Sequence, residues 1–339
     1  MALPDPQPVL FLMEAFRRSQ AMFTAVDLRV FDHLQHAPLG AAQLATLLKA
    51  NPDAVERLCS TCVALDLLTL DNGLYANTPA AQTYLVRDSE HCLIGYIEYS
   101  QKALWHLWSK LPEAVLEGTH RWEQVYGSQS GLFDHYYKTE EDKRRFLMGM
   151  HAYGLISSPQ VAKAFDLSAF THLCDLGGAT GHLAIAACQS DPKLKATVFD
   201  LEQVLPLSKE IIAKAGLSDR IGTAGGNFFE GALPPADLYS LGRILHDWTP
   251  EKITKLLRKI HAALPPGGAV LIAEKILDES GTKPLWALLQ TLNMLVVTEG
   301  KERRFSEYQA LLQETGFKDI RYAVLPNSPL DAILAWKNT

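Results

Sequence analysis

The stretch Asp175-Leu176-Gly177-Gly178-Ala179-Thr180-Gly181 follows a short apolar run, Thr171-His172-Leu173-Cys174, and precedes a helical one, Leu183 to Gln189. A strand, a glycine turn and a helix in that order make a nucleotide-sized pocket. Gly177 and Gly178 permit a tight turn, and Gly181 lets a ligand approach the backbone. Downstream, an acid closes the next apolar run, in Thr197-Val198-Phe199-Asp200-Leu201. An acid at such a strand end accepts hydrogen bonds from two ribose hydroxyls. Asn227-Phe228-Phe229 follows the third run, where an adenine would lie against an amide and an aromatic ring. Arg243 and Leu245-His246-Asp247-Trp248 follow the fourth.

Together these residues read as a pocket for S-adenosylmethionine beside a base, which means methyl transfer. The glycine spacing does not match the G-x-G-x-x-G of dinucleotide enzymes, and no lysine follows Gly181 as in a phosphate-binding Walker loop. A sulfonium methyl is displaced in line by oxygen, nitrogen or sulfur. A phenol, with a pKa near ~10, is mostly protonated at neutral pH. A histidine titrating near ~7 is the useful base. His246 is the candidate, with a buried structural histidine as the alternative. Its other ring nitrogen needs an acceptor to orient it. Glu302, in Glu299-Gly300-Lys301-Glu302-Arg303, and Glu274, at the end of its own apolar run, are the candidates. The competing reading for both is surface solvation or an ion pair with Lys275, Lys301 or Arg303.

Two textures position these residues. From about Phe170, short apolar strands alternate with helices: 171–175, 195–199, 220–224, 236–241, 269–274, 320–324 and 332–336 are the strands. Such alternation predicts a mostly parallel, doubly wound α/β sheet, Rossmann-like, with ligands outside the carboxyl ends of its strands. Pro250 suits a first helical position, and Ser306-x-x-Gln309 reads as a capping box. The first half reads as mostly helical, beginning with one helix over Pro8 to Leu34. A helix over 41–48, a second from Asn51-Pro52-Asp53 to Leu65, and a hairpin around Asp71-Asn72-Gly73 make a winged-helix pattern. These textures divide the chain into 1–165, helical, and 166–339, the nucleotide-binding half.

Composition bounds the remainder. The chain has 339 residues, is 47% hydrophobic and 21% charged, and carries a net charge of −6. A general attraction to nucleic acid or anionic membrane is not expected. No window of 18 uncharged apolar residues indicates a membrane span. The start lacks a basic region followed by an apolar core, so no secretion signal is expected. Five cysteines, an odd count, argue against a disulfide framework and for a reducing, cytoplasmic setting. Cys59 and Cys62 fall on one buried helical face, with no second pair to complete a zinc site.

The combination Asp175-Leu176-Gly177-Gly178-x-x-Gly181, Val198-Phe199-Asp200-Leu201, Arg243 to Trp248 and Gly300-Lys301-Glu302-Arg303 resembles the class I S-adenosylmethionine-dependent O-methyltransferases. More narrowly, it is similar to the group holding caffeic acid and acetylserotonin O-methyltransferases and bacterial natural-product methyltransferases. Ala164 to Ser168, Leu292 to Leu295 and Asp331 to Ala335 bring it nearer the animal acetylserotonin enzymes. The resemblance implies a C-terminal Rossmann-like domain for S-adenosylmethionine, left as S-adenosylhomocysteine. It also implies an N-terminal winged-helix domain that builds a homodimer, and no metal. It puts the base on His246 and the acids positioning it on Glu274 and Glu302. The family's donor-binding positions fall on Gly177, Asp200, Asn227, Phe228 and Arg243, and Asp175, Gly178, Gly181, Leu201 and Trp248 beside them are further candidates for donor contact. Asp247 and Asn293 fall where acetylserotonin enzymes bind substrate. Met150, Tyr153 and Met294 are further candidates for the pocket wall, with core packing the equal alternative. The chain departs from the family at Ala179, where a third glycine is common, at Asn227, where an aspartate is usual, and at Val297, where a polar substrate-binding residue is expected.

Two rival readings follow from the same residues. One is a relative that keeps the donor pocket but is catalytically repurposed, which His246 with Glu302 argues against. The other is a winged-helix nucleic-acid regulator. Residues 41–90 carry Lys49, Arg57 and Arg87 against Asp53, Glu56, Asp66, Asp71, Asp88 and Glu90, which is the wrong balance for a duplex. The acceptor reads as a small aromatic hydroxyl compound, phenolic, indolic or polyketide-like. Tyr96, Tyr99, Trp105, Trp108, Phe133, Tyr136 and Tyr137 either line its pocket or fill the core.

Overall fold

The computed structural model describes residues 3–127 and 135–338, so Phe133 lies outside the described residues. The chain divides into two compact units, Met1–Gln101 and Lys102–Thr339. The change of sequence texture near 165 therefore falls inside the second unit. Of the helices between 102 and 165, the one over Glu140–Val161 contacts the helix His182–Ser190, and those over Trp105–Trp108 and Leu111–Glu117 contact the helix Leu285–Val297.

In the first unit, helix α1 (Gln7–Asp27) is followed by a short α2 (Val30–His33). The sequence predicts one helix here. The backbone breaks at Arg29, which takes a left-handed φ of 60°. The break lets Asp32 accept from the Arg87 backbone N–H and pair with its guanidinium, both at 2.8 Å. Helices α3 (Ala41–Leu48) and α4 (Pro52–Ala64) precede the hairpin β1 (Leu68–Asp71) and β2 (Leu74–Asn77). Asn51 caps α4 by accepting from the Ala54 N–H. Leu44, Val55, Cys59, Cys62, Leu68 and Tyr75 bury the inner faces of these elements, giving the expected helix–turn–helix–hairpin. Burial pushes the Cys59 and Cys62 thiols up to about 11 and about 12, so both are inert packing groups. Helices α5 (Pro79–Tyr84) and α6 (Ile94–Tyr99) complete the unit.

The second unit opens with short helices α7 (Trp105–Trp108), α8 (Leu111–Glu117) and α9 (Trp122–Tyr126), then the long α10 (Glu140–Val161). Seven strands follow: β3 (His172–Leu176), β4 (Lys195–Asp200), β5 (Ile221–Gly225), β6 (Leu238–Gly242), β7 (Ala269–Glu274), β8 (Lys318–Ala323) and β9 (Asp331–Trp336). Helices α11 (His182–Ser190), α12 (Leu205–Lys214), α13 (Pro250–Ala263), α14 (Leu285–Val297) and α15 (Phe305–Glu314) connect them. The sheet order is β5-β4-β3-β6-β7-β9-β8, parallel except where β9 pairs antiparallel with β7 and β8. The seven strands fall where the apolar runs place them.

Strands β6 and β7 are apolar along nearly their whole length because helices cover both faces. Tyr239, Leu241, Val270, Ile272 and Ile333 from the sheet pack with Leu256, Leu257, Tyr308 and Leu312 from α13 and α15. Strand β3 lies between β4 and β6, so the connections from its two neighbours leave in opposite directions. This is the topological switch point, where an open α/β sheet leaves a crevice at its carboxyl edge. The glycine turn after β3 and the Arg243–Trp248 segment after β6 both end there.

Candidate active site

The glycine turn is built as its spacing requires. Gly177 and Gly181 take left-handed φ values of 67° and 81°. A Cβ on Gly177 would stand 2.5 Å from Ile244 Cδ1 and 3.5 Å from Phe228 Cε1. One on Gly181 would stand 2.9 Å from Val198 Cγ2. Both positions exclude a side chain by sterics as well as by conformation. Ala179, in place of the common third glycine, is also left-handed at φ 48°, a conformation costing an L-residue roughly 1–2 kcal/mol. Its N–H donates to Asp200 Oδ2 at 2.8 Å, and the Leu201 N–H donates to Oδ1 at 2.7 Å. Asp200 therefore ties the turn to the end of β4 while keeping lone pairs for a ligand. Burial, opposed by those two hydrogen bonds, raises its pKa to about 6. Asp175 lies beneath the turn. It is buried, accepts from Ser240 Oγ at 2.6 Å, and is likewise raised to about 6, by burial. Gly178 sits close above it, since a Cβ there would meet Asp175 Oδ2 at 2.7 Å.

Aromatic side chains converge on the next loop. Phe228 packs edge-on to Phe229 at 4.8 Å, and Phe229 to Trp248 at 5.1 Å. Asn227 is exposed, and its Oδ1 accepts the Phe229 N–H at 3.0 Å, so part of its acceptor capacity serves its own turn. Arg243, the last residue before Ile244, takes a left-handed φ of 57°. Its guanidinium lies 4.4 Å over the Tyr153 ring, which stacks on Trp286 at 6.2 Å. From sequence, Tyr137 belongs either to the acceptor pocket or to the core. Burial first, and then the Asp200 charge, raise its phenol. Nothing in the spacing of Tyr137 signals this.

His246 sits in a tight turn, Leu245–Asp247, and is 3% exposed. Its Nδ1 is 2.7 Å from Glu302 Oε1 and 3.4 Å from Glu274 Oε2. Its Nε2 is 3.7 Å from Asp247 Oδ1. Glu274 Oε1 accepts from the backbone N–H groups of Ile244, Leu245 and His246 at 2.9, 2.8 and 3.4 Å. That carboxylate orients the turn, and Glu302 orients the ring. Neither is solvated: both are buried, Lys275 pairs with Asp331, and Lys301 pairs with Glu307. Arg303, also buried, donates to the carbonyls of Leu245, Lys301 and Trp248 and closes the turn from behind. Sequence reasoning gave Arg303 no such part. Burial opposes charge on His246, but Glu274, Glu302 and Asp247 outweigh it and raise the imidazole to about 10. Burial raises Glu274 to about 7. Among the described residues, His246, Glu274 and Glu302 form a group whose ligand atoms all lie within 4.8 Å of one another.

On α14, Asn293 is buried and its Oδ1 accepts from Trp108 Nε1 at 2.9 Å. Met294 is buried one residue on, and Met150 is half-buried on α10 beside the Tyr153 turn. Val297 buries its side chain, and its carbonyl accepts from Trp122 Nε1 at 2.8 Å. A polar group there would have to displace apolar packing.

An O-methyltransferase domain model matches residues 108–318, and an O-methyltransferase dimerisation domain model matches residues 10–87. The bovine (Bos taurus) acetylserotonin O-methyltransferase is 40% identical over 329 residues, covering 95% of each chain. A human (Homo sapiens) protein named "Probable bifunctional dTTP/UTP pyrophosphatase/methyltransferase protein" is 40% identical over 337 residues, and this chain spans only 54% of its length. The crystal structure of human N-acetylserotonin methyltransferase in complex with SAM superposes with a TM-score of 0.93 at 35% identity, covering 100% of both chains. With the first of these models alone matching more than half of its length, the chain belongs to the O-methyltransferase family.

Proposed function

We propose that the protein transfers a methyl group from S-adenosylmethionine to a hydroxyl of a small aromatic acceptor, with His246 as general base and no metal. One observation carries the assignment of the base. A buried imidazole stands on the turn that follows β6, its Nδ1 held 2.7 Å from Glu302, beside the glycine turn that follows β3. The residues fit the donor. Gly177 and Gly181 leave their Cβ positions to neighbouring side chains, Asp200 ends its strand with a carboxylate, and Phe228 lies against Gly177. When bound there, S-adenosylmethionine supplies an electrophilic methyl group on a cationic sulfur.

The chain's own residues would do the following. Glu302 accepts a hydrogen bond from the Nδ1–H and so leaves Nε2 as the atom that removes the acceptor's proton. Glu274 holds the backbone of the turn, so the ring cannot drift from its place. In the resting protein the three carboxylates keep His246 protonated at neutral pH. His246 loses that proton more readily when a sulfonium occupies the glycine turn, because like charges disfavour the imidazolium. The base is thus uncovered in the presence of the donor. Asp247 and Asn293 are proposed to contact the acceptor. Trp108 holds the Asn293 carbonyl oxygen, so the amide offers its N–H groups. The first unit is proposed to build a homodimer. The donor is proposed to bind within residues 166–339, and residues 1–165 to supply dimerisation and the lid over the acceptor.

The test is single and has two arms. His246→Gln should cut turnover of a responsive phenol about 100-fold or more while S-adenosylhomocysteine binding persists. Unchanged turnover would remove the base from His246. Wild-type turnover in the presence of a strong chelator should be unaffected, and its loss would assign the group formed by His246, Glu274 and Glu302 to a metal.

A further inference from the structure

Lys259 lies on α13, ten residues beyond the Thr249 cap that starts the helix. Its ammonium donates to the backbone carbonyls of Phe228 and Glu230, each at 2.7 Å. Those carbonyls belong to the loop after β5, where they have no strand or helix partner. Charge-assisted hydrogen bonds of this length are the strong kind. Phe228 lies between this clamp and the glycine turn, its ring 3.5 Å from where a Gly177 Cβ would stand. Phe229 leans on Trp248, and Lys252 lies 4.9 Å over that same indole. Helix α13 is therefore tied at its start to the His246 turn and, about three turns on, to the loop that faces the nucleoside. The hydrogen bond to Glu230 goes to its main-chain oxygen, and the Glu230 carboxylate adds a charge near the ammonium.

We propose that Lys259 is a positioning residue for the nucleoside end of the donor pocket: its ammonium pins the Phe228–Glu230 loop so that the Phe228 ring stays against the glycine turn. The proposal rests on the reading of that turn as the donor site. It names a residue that touches neither donor nor acceptor and acts through the loop. Its loss should therefore be felt in donor affinity and in the recognition of the base, and not in the methyl-transfer step.

The test compares Lys259→Met, which keeps the apolar stem and removes the donors, with Lys259→Arg, which keeps donors. Calorimetry with S-adenosylhomocysteine should show about tenfold weaker binding for Lys259→Met and near wild-type binding for Lys259→Arg. Turnover at saturating donor should stay within about twofold of wild type in both. A second ligand separates positioning from general loosening. S-inosylhomocysteine, in which oxygen replaces the adenine amino group, should bind wild type less well, and Lys259→Met should narrow that gap. Equal weakening of both ligands, or binding by Lys259→Met that matches wild type, would overturn the role of Lys259. Wild-type protein that binds neither ligand would overturn the donor reading and this proposal with it.

Discussion

At position 246, two carboxylates address one ring nitrogen, and the arithmetic of charge governs what the imidazole does. Burial alone would lower its pKa, but the carboxylates of Glu274, Glu302 and Asp247 reverse the sign and carry it to about 10. A base held that high is protonated in the free enzyme, so at donor concentrations well below saturation the rate should climb as pH rises from neutrality. Replacing Glu302 by Gln removes the nearest negative charge and keeps the shape. The His246 pKa then falls, and the ascending limb moves to lower pH. A limb that stays in place would detach Glu302 from the titration. The residue types at this turn were legible from sequence: an acid beside a histidine after a strand, and acids at two later strand or loop ends. The charge state was not, because an unperturbed histidine near ~7 is the natural assumption until burial and three carboxylates are known. Asn227 shows the same limit. Its amide reads as a contact for the adenine, but the structure spends one of its lone pairs on the Phe229 N–H.

At the scale of elements, α10 and the glycine turn form one assembly. His151 Nδ1 is 2.9 Å from Thr180 Oγ1, inside the turn, and His182 Nδ1 is 2.8 Å from Ser158 Oγ, on α10. Gly154 provides the notch, since a Cβ there would lie 2.3 Å from the His182 ring. Burial lowers His151 to about 4, and burial followed by the charges of His151 and Arg243 lowers His182 to about 3. Both values are below the unfolded value near ~6.5, so the unfolded chain binds more protons between these limits. The stabilisation these neutral rings give is complete above about 6.5 and is lost as pH falls towards about 4 and then about 3. Asp175, Asp200 and Glu274, raised to about 6, about 6 and about 7, titrate in the same window with the opposite sign, so the readout is a difference: from pH 7 to 5 the Tm of His182→Asn should rise relative to that of wild type. Gly154→Ala should lower stability at neutral pH by about 1–3 kcal/mol through overpacking. A slope indifferent to His182 would remove it from the linkage. Neither histidine is legible in the sequence, because each partner lies more than twenty residues away. One local reading also moves. Ser306 does not cap α15: Glu307 accepts from the Arg304 N–H at 3.0 Å, while Ser306 bonds to Glu279. Helix α14, apolar nearly all round its thirteen residues, offers no amphipathic period to read.

For the molecule as a whole, the N-terminal half of α1 is the feature that its own unit does not account for. The later part of the helix is buried through Phe23, Ala25 and Val26. The earlier part exposes Val9 at 64%, Met13 at 60% and Phe16 at 52%, spaced i, i+4 and i+7 on one stripe, with Leu12 beside it. Single exposed apolar residues need no explanation, but a contiguous stripe of this size marks an interaction surface. No helix among the described residues is long and apolar enough to cross a membrane, and Met13 and Phe16 of the stripe fall within the residues that match a dimerisation domain. A second copy of the chain is therefore the occupant that fits. Burying one such side chain against a partner is worth about 1.5–3 kcal/mol, and a twofold axis counts each side chain twice. Met13→Glu with Phe16→Glu replaces two apolar surfaces with charges that the partner's identical charges would repel. Light scattering should report a dimer for the wild type and a monomer for the double variant at micromolar protein. Far-UV circular dichroism should be unchanged, because neither side chain contributes to the core of its own unit. A double variant that remains dimeric would move the interface off α1, and a monomeric wild type would remove the homodimer altogether.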